Sequence, residues 1–215
     1  NTTLAKFGRG TGVTYAGEWE DAYVNEALPT TNDNGEYLYI KNETGIHKYI
    51  HFRVNIGVLS DYLDISYATL NFYVDEAISG TSKELIIYEL TGTPGANWTD
   101  TGDTFQKYDG VSNWTGQDGG NQDKDEIYGQ RTILDGHGWR RIEFNAAGRA
   151  AFEYSASNDT VVNMIIEIGS DVGTYERKIA SANNLDGTIR PYIEVCYEVL
   201  PTITLTQTQT QTATS

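Results

Sequence analysis

Apolar and polar residues alternate with a period of two through most of this chain. That is the period of a β-strand, whose successive side chains point to opposite faces. Residues 15–24, YAGEWEDAYV, predict a first strand, and 37–40, YLYI, a short one ended by a turn at 42–45. In 47–54, HKYIHFRV, Ile50, Phe52 and Val54 alternate with Tyr49, His51 and Arg53. This predicts a half-buried strand with the first set inward. In 67–74, YATLNFYV, Ala68, Leu70, Phe72 and Val74 share one face, and 84–90, 139–144, 163–168, 175–180 and 192–199 complete the set. The expected core includes Ile50, Phe52, Leu70, Phe72, Ile165, Ile193 and Val195. Between them lies a long irregular stretch, 92–129, rich in Gly, Asp and Asn. Only 146–154 has a good helix signal, with Asn145 placed to cap it. About ten strands separated by loops indicate an all-β fold, a jelly-roll-like β-sandwich with one short helix.

The pattern changes after residue 199. In LPTITLTQTQTQTATS, Thr occupies every even position from Thr202 to Thr214. As a strand, this tail would show one all-Thr face and one running from Ile203 and Leu205 to Gln207 and beyond. It would reach about 45 Å at the usual rise per residue. The chain therefore divides into a sandwich, 1–199, and an extended tail, 200–215. A Thr-rich stalk or linker has no need of strict alternation. A strand that adds to the open sheet edge of another copy does. Thr202, Ile203, Thr204, Leu205, Thr206, Gln207 and Thr208 are the candidate assembly strand.

Charge narrows the partners. With 30 acidic and 15 basic residues the formal net charge is −15, which repels nucleic acid and anionic membranes and attracts cations. There is no apolar run long enough to span a membrane. The start at Asn1-Thr2-Thr3 reads as a mature end after signal cleavage. The single cysteine, Cys196, allows no internal disulfide, and its place in IEVCYEV reads as a buried inert thiol. Sequons occur at Asn1, Asn42, Asn97, Asn113 and Asn158. The last four fall in expected loops, so an extracellular protein carrying N-glycans at Asn42, Asn97, Asn113 and Asn158 is expected.

Candidate chemistry is sparse. The bases for hydrolysis are His47, His51 and His137, with no nucleophile-elbow or zinc-protease motif. His47 and His51 read as exposed residues on one strand face rather than metal ligands, and an enzyme is not expected. Residues 100–126 hold seven acids on a Gly-rich stretch, and oxygen ligands of this kind suit Ca²⁺. Asp118, Asn121, Asp123 and Asp125 are the best candidate set, against a plain solvated acidic loop. Trp98 and Trp114 are candidates for a sugar-stacking platform. Core packing is the competing reading for both.

Short segments spread over residues 20–198 resemble a known family. They are Glu20-Asp21-Ala22-Tyr23-Val24 with Thr30-Thr31-Asn32, the strands at 49–54 and 68–70, Asn97-Trp98-Thr99, and Trp114 with Gly119-Gly120. Glu176-Arg177-Lys178-Ile179-Ala180-Ser181 and Arg190-Pro191-Tyr192-Ile193-Glu194-Val195 close the series. Their order is similar to that of the disaggregatase-related repeat (DNRLRE) domain, also classed among carbohydrate-binding modules. Phe105 stands where that family often has a second Trp, and the tail is foreign to its pattern. The resemblance implies a secreted jelly roll of archaeal or bacterial surface or polysaccharide-handling proteins, without catalysis by the module. Two readings follow. One is a structural subunit that polymerises with itself by donating its tail. The other is a non-catalytic carbohydrate-binding module whose partner is a polysaccharide.

Overall fold

The computed structural model describes residues 2–17, 19–43, 46–59, 62–80, 82–133, 136–169 and 173–199. The candidate assembly strand, Thr202 to Thr208, lies outside them. The described residues form twelve strands and two α-helices: β1 (Thr2–Gly8), β2 (Tyr15–Ala16), β3 (Trp19–Asn25), β4 (Tyr37–Glu43), β5 (Ile46–Asn55), β6 (Tyr62–Ser79), β7 (Lys83–Leu90), α1 (Gly92–Asn97), β8 (Lys124–Ile133), β9 (Gly138–Glu143), α2 (Ala146–Asn158), β10 (Val161–Ile168), β11 (Tyr175–Ala180) and β12 (Tyr192–Val199). The fold is the expected all-β sandwich. The expected first strand divides into β2 and β3, and β1 before it and β8, which begins within the presumed irregular stretch and runs past its end, are additions. Both carry fewer apolar alternations than the strands read from the sequence. α2 runs four residues beyond its predicted end. It is capped as expected, the Asn145 side chain accepting from the Gly148 N–H at 3.0 Å. α1 is a second, six-residue helix that the pattern did not indicate.

Two long strands organise the layers. One edge of β6 carries β9, and the other carries first β12 and then β11. One edge of β5 carries β3, and the other carries β10 and then β4. The first layer is thus β2-β1-β12-β6-β9, and the second is β3-β5-β10-β7-β8. At one corner the layers are joined by a full antiparallel ladder between β11 and β4, from Tyr175↔Asn42 to Ala180↔Tyr37. At the opposite corner the edges of β8 and β9 meet, joined by the single bridge Gly129↔Phe144.

The main core fills the space between the layers. Ile50, Phe52, Leu70, Phe72, Ile193 and Val195 are all buried there, as expected. Ile165 is also buried, but on the outer side of the second layer, in a separate cluster. The parity that turns Ile193 and Val195 inward turns Cys196 outward, so the thiol expected to be buried is half-exposed. Within the core, Trp19 stacks on Phe52 at 5.3 Å and donates its indole N–H to Asp21 Oδ2 at 2.9 Å. The same oxygen accepts the Ala182 N–H at 2.8 Å. Asp21 Oδ1 has no hydrogen-bond partner among the described residues. Burial therefore pushes the carboxyl up, against the two hydrogen bonds that pull it down, to about 6.

The sign of the consequence follows from linkage. The folded state holds this proton more tightly than the unfolded chain. Its contribution is whole below about pH 4 and is lost as pH rises through about 6, a change of roughly 3 kcal/mol. Asp21→Asn is expected to flatten that part of the pH–stability profile. Denaturant unfolding of both proteins at pH 4.5 and 7 checks it; equal slopes would show that Asp21 is ionised in the folded protein.

Candidate functional site

The outer face of β5 was expected to be open. Instead, residues 91–123 fold across it and across β3, β7 and β10. Their aromatic residues build a second core of Ala22, Leu90, Trp98, Tyr108, Trp114 and Ile165. His51 stands at its centre, fully buried, with Trp98 and Trp114 5.8 and 4.9 Å away. This corrects the expectation for His51 and decides between the two readings of the tryptophans. His51 is not an exposed strand residue, because the covering segment removes that face from water. Trp98 and Trp114 are 0 % and 1 % exposed, so neither presents a ring face to a sugar. Core packing is what they do. The neighbouring Arg53 lies over the Trp98 ring and donates to the Trp98 carbonyl at 2.8 Å. His47, nearer the edge, is half-buried and holds Glu26 at 2.8 Å.

The chemistry of His51 is that of a clamp. Its Nε2 lies 2.9 Å from the Gly119 carbonyl, and its Nδ1 lies 2.6 Å from Asp103 Oδ2. A carbonyl only accepts, so Nε2 carries a hydrogen. One further proton is then shared between Nδ1 and the carboxyl. Asp103 Oδ1 also accepts the Trp114 indole N–H at 3.2 Å. Burial pushes the Asp103 carboxyl up, and His51 and Trp114 pull it back. Gly119 and Gly120 both have positive φ, and a Cβ on Gly120 would press against His51, Leu90 and Trp114 at 3.3 Å. Glycine at both positions lets the chain turn its carbonyl onto the histidine. Both His51 and Asp103 are shut off from solvent, so this pair fastens the segment to the sheet and offers nothing to a substrate.

The proposed metal ligands do not come together as one set. Asp123 is buried, and its two oxygens are taken by the Thr115 N–H at 2.9 Å and the Thr115 hydroxyl at 2.5 Å. Asp118 accepts the Asn121 N–H through its carbonyl, and Asp125 is exposed on β8. Among the described residues no group of three or more His, Cys, Asp or Glu side chains is arranged to hold a metal ion. The sequons divide. Asn97, Asn113 and Asn158 are exposed, whereas Asn42 is 3 % exposed within β4. Asn42 falls on the buried side because it lies inside the β4 ladder to β11, not in the turn expected there.

The exposed chemistry lies elsewhere, at the corner where β8 and β9 meet. A groove of about 550 Å³ is lined by Arg131, Ile133, Trp139, Arg141, Asn71 and Tyr192, among others. A second, of about 570 Å³, continues past the Gly129↔Phe144 bridge along Ile127, Gln130 and Glu143. Trp139 is 42 % exposed and packs against Tyr73 and Tyr192 at 5.8 and 5.5 Å. The backbone here is unusual. Alternation along β9 turns the carbonyls of Trp139, Arg141 and Glu143 away from β6 and toward β8. Arg140 donates to the Trp139 carbonyl at 2.9 Å, and Arg131 donates across from β8 to that of Arg141 at 3.1 Å. Guanidinium groups thus stand where a neighbouring strand would supply N–H groups. Sequence reasoning missed this site because WRRIEF reads only as one more strand. The signal was available in its two adjacent arginines beside an outward Trp on an otherwise acidic chain.

No protein-family model matches the chain, and no curated protein does. Among solved structures, the chain is similar to the K1 cleaved adhesin domain of Lys-gingipain from Porphyromonas gingivalis W83. The identity is 14 %, the alignment covers 94 % of this chain and 99 % of that one, and the TM-score is 0.32. A likeness of that size carries no argument about function.

Two outcomes are expected. His51→Ala strands the buried Asp103 carboxyl and should cost about 3–5 kcal/mol, more than the paired change His51→Leu with Asp103→Leu. Denaturant unfolding measures the difference, and limited proteolysis should cut the single variant within 91–123. In native material, glycopeptide mass spectrometry should find sugar at one or more of Asn97, Asn113 and Asn158 and none at Asn42.

Proposed function

We propose that this chain is a non-catalytic, extracellular structural subunit that assembles with itself head to tail by donating residues 202–215 to a neighbouring copy. The observation that carries this reading is the strict alternation of the tail, joined directly to the end of a core strand. β12 closes with Val199 opposite Tyr62, at the beginning of β6. Each added backbone hydrogen bond contributes only about 1 kcal/mol net, but a run of eight to ten holds a joint. A contact between different places on two copies does not close on itself and grows as a fibre unless its rotation makes a ring. The net charge of −15 opposes such growth at low salt, so cations, Ca²⁺ among them, favour it by screening. Exposed sequons fit an extracellular setting. No helix among the described residues is long and apolar enough to cross a membrane.

A second reading rests on Trp139, Tyr73 and Tyr192. An exposed aromatic group on a flat sheet face, flanked by arginines, suits a polysaccharide. The resemblance to disaggregatase-related repeats would fit that use.

Deletion of 202–215 separates the two. The expected product is a folded, soluble monomer that no longer polymerises, with Thr206→Pro weakening assembly through loss of one ladder donor. Electron microscopy and light scattering read the outcome. Unchanged assembly by the deletion variant would leave the polysaccharide module as the better account.

A further inference from the structure

We propose that the groove beside β9 binds an acidic polysaccharide, with Arg131 and Arg141 on its acid groups, Asn71 on a hydroxyl and Trp139 on the apolar face of a ring. The inference rests on the polysaccharide reading and names the class of sugar. Charge is the starting point. Lys6, Lys41, Lys48, Lys124, Lys178 and Arg53 each meet a carboxylate. On a chain with 30 acids and 15 bases, that is the ordinary fate of a cation. Arg131 and Arg141 are exposed and depart from it. Among the described residues, the Arg131 side chain makes one hydrogen bond, to the Arg141 carbonyl at 3.1 Å, and the Arg141 side chain makes none. Neither has a carboxylate partner there. Two guanidinium groups therefore line one groove with most of their N–H donors unused. Such forks match the paired oxygens of an acid group.

Strand register sets the other groups beside them. Tyr192, Asn71 and Arg141 stand in one row across β12, β6 and β9, and Tyr73 pairs with Trp139 two residues further along β6. Asn71 is held in place, its Nδ2 donating to the Thr69 hydroxyl at 3.0 Å and to the Thr69 carbonyl at 3.3 Å. Its Oδ1 accepts no hydrogen bond among the described residues and is open to a hydroxyl donor. Trp139 rests against Tyr73 and Tyr192, so a sugar stacked on it costs little side-chain freedom. Of the acids nearby, Glu194 is engaged by Lys6 at 3.6 Å, and Glu143 lies along the second groove. The field of more distant acids fades over about 8 Å at physiological salt. A bare inorganic anion would use the arginines alone, and a neutral glycan the ring and the amide. A sugar polymer that carries acid groups uses all four side chains.

Binding of the full chain to matched polymers tests this. Polygalacturonate is compared with its methyl ester, and dextran sulfate with dextran, by affinity electrophoresis and calorimetry at physiological salt. At least one acidic polymer is expected to bind about tenfold more tightly than its neutral counterpart. The two pairs tell a carboxylate from a sulfate. Arg131→Gln together with Arg141→Gln should abolish the preference and leave the thermal midpoint unchanged. Acrylamide quenching of the wild-type protein gives a second measure, independent of any variant. It reads Trp139, because Trp19, Trp98 and Trp114 are buried, and bound polymer should shield it. Equal binding of acidic and neutral polymers, or an acidic preference that survives the double variant, would overturn the acidic class and leave the polysaccharide reading standing. Acidic binding without shielding of Trp139 would overturn the site. Binding of no polymer of either kind would remove the polysaccharide reading itself. Self-assembly lost in the double variant, with no polymer bound by the wild type, would assign the groove to a second copy.

Discussion

The structure depends on β6. Its eighteen residues are too long for one partner, and its two edges serve β9, β12 and β11 in succession. Backbone N–H and C=O groups on a central strand must be paired, so the length of β6 dictates that β12 and β11 follow one another along the same edge. Register shifts on both of those ladders absorb the twist that so long a strand accumulates. From β11 the sheet passes to β4 and the second layer. The main core, from Phe7 on β1 to Met164 on β10, packs between the two layers so joined.

The main core was legible in the sequence because it uses the simplest signal there is. Ile50, Phe52, Leu70 and Phe72 alternate with polar neighbours, and alternation predicts a face. The same signal misled at β5, where the polar-looking set Tyr49, His51 and Arg53 is covered by another segment. Period-two patterns report one buried face well. They cannot show that the second face is buried when its residues can be hydrogen-bonded or stacked, as His51 and Arg53 are. The partner that buries His51 is Asp103, fifty-two positions along the chain. No local pattern contains that pairing. β1 was missed for a related reason: TTLAKFG has apolar residues at Leu4, Ala5 and Phe7 with no regular period.

Site reasoning met a different limit. Residue type left Trp98 and Trp114 between a sugar platform and the core, and Asp123 between a ligand and a solvated loop, because type does not reveal where a side chain turns. The interior took both tryptophans because their ring area is worth burying, and Thr115 took the aspartate. Trp139 was left outside because it shares its side of β9 with the exposed Arg141 and Glu143, opposite the buried Ile142. The corner was equally hidden. Whether a strand edge finds a partner is a property of topology, and topology was legible only as far as "sandwich".

The second core has a consequence for the way the molecule opens. It is small, it lies outside the sandwich, and only a few side chains tie it to the layer beneath. Such a patch is a cooperative unit of its own, able to detach at a free energy below that of global unfolding. Its departure would uncover Ala22 and Ile165 on a sheet whose other face stays packed. The molecule would then be native in its layers and adhesive on one side. The hinge points of this partial opening are the two stems at Thr91 and Asp123, which the Thr91 N–H holds together by donating to the Asp123 carbonyl at 2.7 Å. The Thr91 hydroxyl donates to the same carbonyl at 3.0 Å, and the loss of this pair of bonds between the two ends of the flap would convert a compact particle into one that clings to its own kind in an unintended way.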